Sequence, residues 1–126
     1  MNRRKVLVID DDAAIRTLFD ALLTRHNCQV EHAGDGADGL SKLGNGDDYE
    51  VIILDLMMPN LGGLQLLDDL RRANPSLLKK IIVATGASRA YVEKIDPSTV
   101  HAVIRKPFDI AQLINAVLTC GRTVDA

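Results

Sequence analysis

The chain has 126 residues, 47% of them hydrophobic, which suits one domain of common size with a core of its own and no need of disulfides. Its 15 basic and 17 acidic side chains nearly cancel to a formal net charge of -2; with no Trp and 3% aromatic residues it lacks both the basic face and the stacking rings of a direct nucleic-acid binder. Cys28 and Cys120 stand far apart without CxxC spacing and read as plain thiols of a reducing compartment, and the scattered His26, His32 and His101 make no ligand set.

The start, Asn2-Arg3-Arg4-Lys5, is basic like the head of a signal peptide. Only Val6-Leu7-Val8-Ile9 follows before three aspartates, too short for a signal's apolar stretch, and nothing else approaches a membrane span. A cytoplasmic location is expected. The run Val6 to Ile9 reads instead as a strand covered on both faces, and Ile15, Leu18, Phe19, Leu22 and Leu23 then repeat at helical spacing. Gln29 to Ala33 alternates polar with apolar, as an edge strand does, before a short Gly-flanked helix over about Asp35 to Leu43. Val51 to Leu54 is the next apolar strand, followed by a helix with Leu67 and Leu70, together with Gly63 or Leu66, on one face.

Ile81 to Ala84 is the fourth strand, and a weak helix over about Ser88 to Ile95 is stopped by Asp96-Pro97. His101 to Ile104 and the stripe Ile110, Leu113, Ile114, Val117, Leu118 complete the alternation. Five βα units with right-handed crossovers predict a doubly wound α/β fold, flavodoxin-like (βα)5, whose parallel sheet runs in the order 2-1-3-4-5 with the alternating strand at an edge. Ligands in such a sheet bind at the carboxyl ends of the strands, near the first and third. No repeat or linker interrupts residues 1–126; the tail Gly121 to Ala126 is too short for an output domain, and the chain is either a stand-alone domain or an excised one.

Just past the central strands come Asp10-Asp11-Asp12, Asp55, Thr85-Gly86 and Lys106-Pro107, all aimed at one crevice. Taken singly each has a plainer use, an Asp as helix cap, a Thr in a turn, a Lys as solvated charge, and Asp12 is expected to cap the first helix. Three further carboxylates at one sheet edge are not explained as caps, because each close like-charge pair costs about 4 kcal/mol at about 4 Å in an effective dielectric of about 20. A positive partner is required. An all-oxygen site that stays open to a phosphate suits Mg2+, with Mn2+ as the alternative ion, and Lys106 adds a fixed positive charge. Phosphoryl transfer asks little more of a protein than in-line positioning and neutralised equatorial oxygens, which the metal, Lys106, the Thr85 hydroxyl and backbone N–H groups near Gly86 can supply.

These residues resemble the receiver domain of two-component response regulators, of the single-domain, chemotaxis-regulator kind, over about residues 5–120. Val6-Leu7-Val8-Ile9-Asp10-Asp11-Asp12 is similar to that family's first strand and acidic pair, Leu54-Asp55-Leu56-Met57-Met58-Pro59 to its acceptor strand, and Lys106-Pro107-Phe108 to its lysine motif. The resemblance implies Asp55 as nucleophile and phosphoacceptor, Asp11 as a direct magnesium ligand, Asp10 as a ligand through water, and the Met57 carbonyl as another. It also implies Thr85, Lys106 and the backbone of Met57 and Gly86 on the phosphoryl oxygens, and a cis Lys106-Pro107 bond. The chain departs from the family in four places. Val103 occupies the position of an aromatic switch partner for Thr85, so the signal is expected to travel through the Thr85–Gly86 loop and the fourth helix. Gly62-Gly63 replaces an Asp-Gly ahead of the third helix, at a cost of a few tenths of a kcal/mol. Neither Met57 nor Ala87 can orient an attacking water.

Three rival readings compete with this one. Gly34-Asp35-Gly36-Ala37-Asp38-Gly39 spells a dinucleotide-binding GxGxxG after a strand, with Asp55 about 20 residues on, yet Asp35 and Asp38 would face a pyrophosphate and the strand alternates like an edge. A magnesium-dependent aspartyl phosphatase wants DxDx[TV], and Asp10-Asp11-Asp12-Ala13-Ala14 lacks the last residue. An interaction module of receiver fold that takes no phosphate is encouraged only by Val103. The expected function is phosphorelay signalling: a non-enzymatic phosphoacceptor, assisting its own phosphorylation and dephosphorylation, that takes phosphate from a histidine kinase or histidine phosphotransfer protein. It is then expected to present the fourth helix, fifth strand and fifth helix to an effector protein.

Overall fold

The structure, a computed structural model, describes residues 3–45, 48–58 and 61–120; Asn2 of the basic start, Pro59 of the acceptor motif and the 121–126 tail lie outside them. Five parallel strands form one sheet: β1 (Arg4–Ile9), β2 (Cys28–Ala33), β3 (Val51–Leu54), β4 (Ile81–Thr85) and β5 (Ala102–Arg105). Their order is β2-β1-β3-β4-β5, the doubly wound arrangement expected from the alternation of elements. β3 and β4 are buried at every residue, whereas β2 shows the mixed burial of an edge.

Because successive side chains of a strand point to opposite faces, each central strand feeds two cores. Val6, Val8, Ile53 and Ile82 pack against α1 (Ala13–Thr24) and α5 (Ile110–Thr119), through Phe19, Leu23, Leu113 and Val117. Leu7, Ile9, Ile52 and Val83 pack on the other face, against α2 (Gly36–Gly44) and α3 (Gly63–Ala73), through Leu66 and Leu70. Each such fully buried aliphatic side chain contributes about 1.5–3 kcal/mol. The third helix thus turns Gly63, Leu66 and Leu70 inward and leaves Leu67 at the margin.

Capping follows the side chains at the strand–helix junctions. Asp12 accepts from the Ala14 N–H at 2.9 Å, Asp35 from Asp38 at 2.8 Å, and Asp109 from Ala111 at 2.9 Å, while Gly62 caps α3 with no side-chain bond. α4 is shorter than the sequence suggests, Arg89–Val92, capped by Ser88, because Asp96-Pro97 starts a 3-10 turn, Pro97–Thr99, and Ile95 is already a separate buried anchor. The Lys106–Pro107 bond is cis. Both cysteines are free and buried, and burial pushes the Cys120 thiol up to about 11, so neither is poised as a thiolate. Among the described residues no helix is long and apolar enough to cross a membrane.

Candidate functional site

At the carboxyl ends of β1, β3, β4 and β5 the sheet gathers Asp10, Asp55, Thr85 and Lys106. Asp10 and Asp55 are 2% and 7% exposed and Thr85 is fully buried, whereas Asp11 opens to solvent, so the site has a closed floor and one open side. Lys106 Nζ lies 2.9 Å from Asp10 Oδ2, as a hydrogen bond, and 3.8 Å from Asp55 Oδ2. The Asp12 N–H donates to Asp10 Oδ1 at 2.9 Å and the Met57 N–H to Asp55 Oδ1 at 3.2 Å. Gly63 is required here by space: a Cβ at that position would stand 2.6 Å from Leu56 Cα and 2.7 Å from the Asp55 carbonyl, so any side chain would push α3 off the strand that carries Asp55.

Burial raises the Asp55 pKa above the usual carboxylate range. The Lys106 ammonium, the Met57 N–H and the Thr85 hydroxyl oppose the shift by favouring the charged form, and the Asp10 charge adds to it. One carboxylate oxygen from each of Asp10, Asp11 and Asp55 lies within 4.8 Å of the others. Such a hard, all-oxygen donor set, two of its members nearly buried, fits a small divalent cation better than it fits water alone.

Of the residues named from sequence, Asp10, Asp11, Asp55, Thr85 and Lys106 share this crevice. Met57 flanks it with its side chain 54% exposed, Gly86 is exposed just past Thr85, and Val103 lies three residues before Lys106 on β5, partly buried against the core on the α3 side. Sequence reasoning missed two arginines at the rim. Arg16 donates from Nη1 to the Asp10 carbonyl at 2.5 Å, and Arg105 from Nη2 to the Ala87 carbonyl at 3.2 Å. Arg16 follows the acidic pair at a helical spacing that could have flagged it; nothing in the sequence singles out Arg105.

The GxGxxG run is a packing device. A Cβ on Gly36 would stand 2.1 Å from the Leu61 carbonyl oxygen, and one on Gly39 would stand 2.7 Å from Ile9 Cδ1. Two of the three glycines are therefore needed for close approach, and Asp35 is spent as the α2 cap.

Residues 6–118 match the family described as response regulator receiver domain. The chain belongs to that family. As a receiver domain it is a signalling module of two-component systems. It is 31% identical over 115 residues to the transcriptional regulatory protein ResD of Bacillus subtilis, which covers 90% of this chain and 46% of ResD. It is 32% identical over 112 residues to the response regulator ArlR of Staphylococcus aureus, covering 87% of this chain and 49% of ArlR. This receiver thus spans about half the length of those relatives. Among solved structures, a Francisella response regulator receiver domain superposes with a TM-score of 0.78 at 31% identity, covering 92% of this chain and 94% of that one. The response regulator TrrA of Thermotoga maritima, solved in complex with Mg(2+)-BeF, gives 0.79 at 28% identity, with 91% and 96% covered.

Proposed function

We propose that this receiver takes a phosphoryl group on Asp55 from a phosphohistidine of a histidine kinase or histidine phosphotransfer protein and thereby changes a partner-binding surface. The observation that carries this reading is the placing of Asp55: nearly buried at the end of β3, within 3.8 Å of Lys106 Nζ, and beside an open side on which Asp11 is exposed. In the reaction an Asp55 carboxylate oxygen attacks phosphorus in line, the P–N bond to the donor imidazole breaks, and the imidazole leaves with the electron pair. Lys106 and the Thr85 hydroxyl stabilise charge on the equatorial oxygens, joined by the backbone N–H groups of Met57 and Gly86. Asp10, Asp11, Asp55 and the Met57 carbonyl are the residues that would hold Mg2+, or Mn2+, which when bound supplies further neutralisation of the phosphoryl oxygens.

The donor and effector are protein partners, with no direct nucleic-acid contact and no membrane contact, and the setting is cytoplasmic. The responding surface is α4, β5 and α5. The protein is no enzyme in its own right; it assists the formation and hydrolysis of its own acyl phosphate. Residues 1–126 act as one receiver, with the core at about 5–120.

Intact mass after incubation with magnesium and a small acyl-phosphate donor tests the acceptor. One added phosphoryl mass is expected, and none on Asp55→Asn; no gain on the native chain, even with candidate kinases, would favour an interaction module that takes no phosphate. Because the exposed Met57 side chain and the buried Ala87 offer no polar group to orient a water, the phosphoryl group should persist for minutes or longer. Loss within seconds, tracked by the same mass measurement over time, would contradict that.

A further inference from the structure

β5 carries a contact that phosphoryl transfer itself does not use. Arg105 ends the strand, in register with Thr85 of β4, and its Nη2 donates to the Ala87 carbonyl at 3.2 Å. The Ala87 N–H in turn donates to Thr85 Oγ1 at 3.1 Å, and the Thr85 hydroxyl shares the crevice with Asp55, whose charged form it favours. These links run from Thr85, in the same crevice as Asp55, to a solvent-exposed guanidinium, through Thr85 at 0% and Ala87 at 6% exposure.

Two further observations give the contact weight. Arg105 makes no ion pair among the described residues, so the loop carbonyl is the partner its head group has. Val103, on the same face of β5, has no polar atom with which to grip the loop, and α4 beyond it packs on the core only with the partly buried Tyr91 and Val92. A guanidinium is well suited to the task, being always charged and presenting its donors in a rigid fork.

We propose that Arg105 is the positioning residue for Thr85: by holding the Ala87 carbonyl it sets the β4–α4 loop so that the Thr85 hydroxyl faces Asp55, and it passes a change at Asp55 on to α4. The second half rests on Asp55 being the acceptor. When the Thr85 hydroxyl is drawn to a phosphoryl oxygen, Ala87 moves with it, and Arg105 either moves along or lets go. Both alternatives alter the exposed surface between β5 and α4.

Backbone amide spectra of the full chain test this, with and without Mg2+ and beryllofluoride as the phosphoryl mimic. In the native protein the mimic should shift the amides of Met57 and Lys106 beside Asp55, and those of Ala87 and residues 89–92. In Arg105→Ala, Met57 and Lys106 should still shift fully while residues 89–92 respond much less. In mimic-free Arg105→Ala the Ala87 amide should exchange about fivefold faster, the factor that one net hydrogen bond is worth. Arg105→Lys, which keeps a donor, should recover part of both. Unchanged exchange at Ala87 together with an unchanged response of residues 89–92 would overturn the proposal. Absent shifts at Met57 and Lys106 in the native protein would overturn the acceptor reading and with it the relay to α4, and the exchange rate would then decide the positioning role alone.

Discussion

The two helices that flank β5 are built on opposite terms. α5 has ten residues, buries Leu113, Ile114, Ala116 and Val117, and has its last carbonyls gripped by Arg4, which donates to the Leu118 carbonyl at 3.1 Å and also to that of Cys120. α4 has four residues, buries none fully, and meets the core through the partly buried Tyr91 and Val92. The site lies between a fixed wall and a loosely held one. Under the proposed function, a change in charge at Asp55 is expected where the opposing free energy is smallest, in the β4–α4 loop and α4, while α5 serves as the frame against which the movement is defined.

Stability measurements can break this contrast. Leu113→Ala in α5 should cost about 3 kcal/mol, since Leu113 is fully buried, whereas Val92→Ala in α4 should cost about 1 kcal/mol or less. Chemical denaturation of the two variants checks it, and equal losses would erase the distinction. Arg4→Met should cost about 2 kcal/mol, because it strips charged donors from two carbonyls at the end of a helix. The loss should be accompanied by faster amide exchange in the last turn of α5 and no change in α4; spread evenly over both helices, it would mean that Arg4 does not act as a local clamp.

The smallest effect has the opposite sign. A carboxylate whose pKa is raised on folding favours the folded state below its unfolded value, near 3.8, and loses that advantage as the pH climbs through the folded one, so ionised Asp55 is a burden at neutral pH in metal-free protein. Asp55→Asn should raise the thermal midpoint at pH 7 by a few degrees, on the order of 1 kcal/mol for a domain of this size. The gain should shrink as the pH falls into the carboxylate range. A midpoint that drops instead would mean that the hydrogen bond from Met57 and the Lys106 charge outweigh burial.

The frame was legible in the sequence because its signals are strong and redundant. Doubly covered strands leave unbroken apolar runs such as Val51 to Leu54, and each chemical residue directly follows such a run, so strand order alone brought Asp10, Asp55, Thr85 and Lys106 to one edge. The extent of α4 was not legible, since Arg89-Ala90-Tyr91-Val92-Glu93-Lys94-Ile95 has adequate helix propensity throughout, and only the tertiary anchoring of Ile95 and the Asp96-Pro97 turn decides where it stops. The Arg105 contact was illegible for another reason. A guanidinium reaching a backbone carbonyl leaves no trace in sequence pattern, because every residue offers the same acceptor. The glycine run misled in the reverse direction, its letters matching a phosphate loop while its spacing records how closely Leu61 and Ile9 approach α2.

The thin packing of α4 also governs how such a receiver can diverge. Substitutions at its exposed positions, Arg89 and Ala90, draw on almost none of the folding free energy, so under the proposed function the surface offered to an effector can be rewritten residue by residue without endangering the fold. The Asp55 crevice has no such freedom, bounded as it is by Gly63 on one side and fully buried strand residues on the other. Within one small module packing holds the Asp55 crevice in place and leaves the α4 surface open to drift.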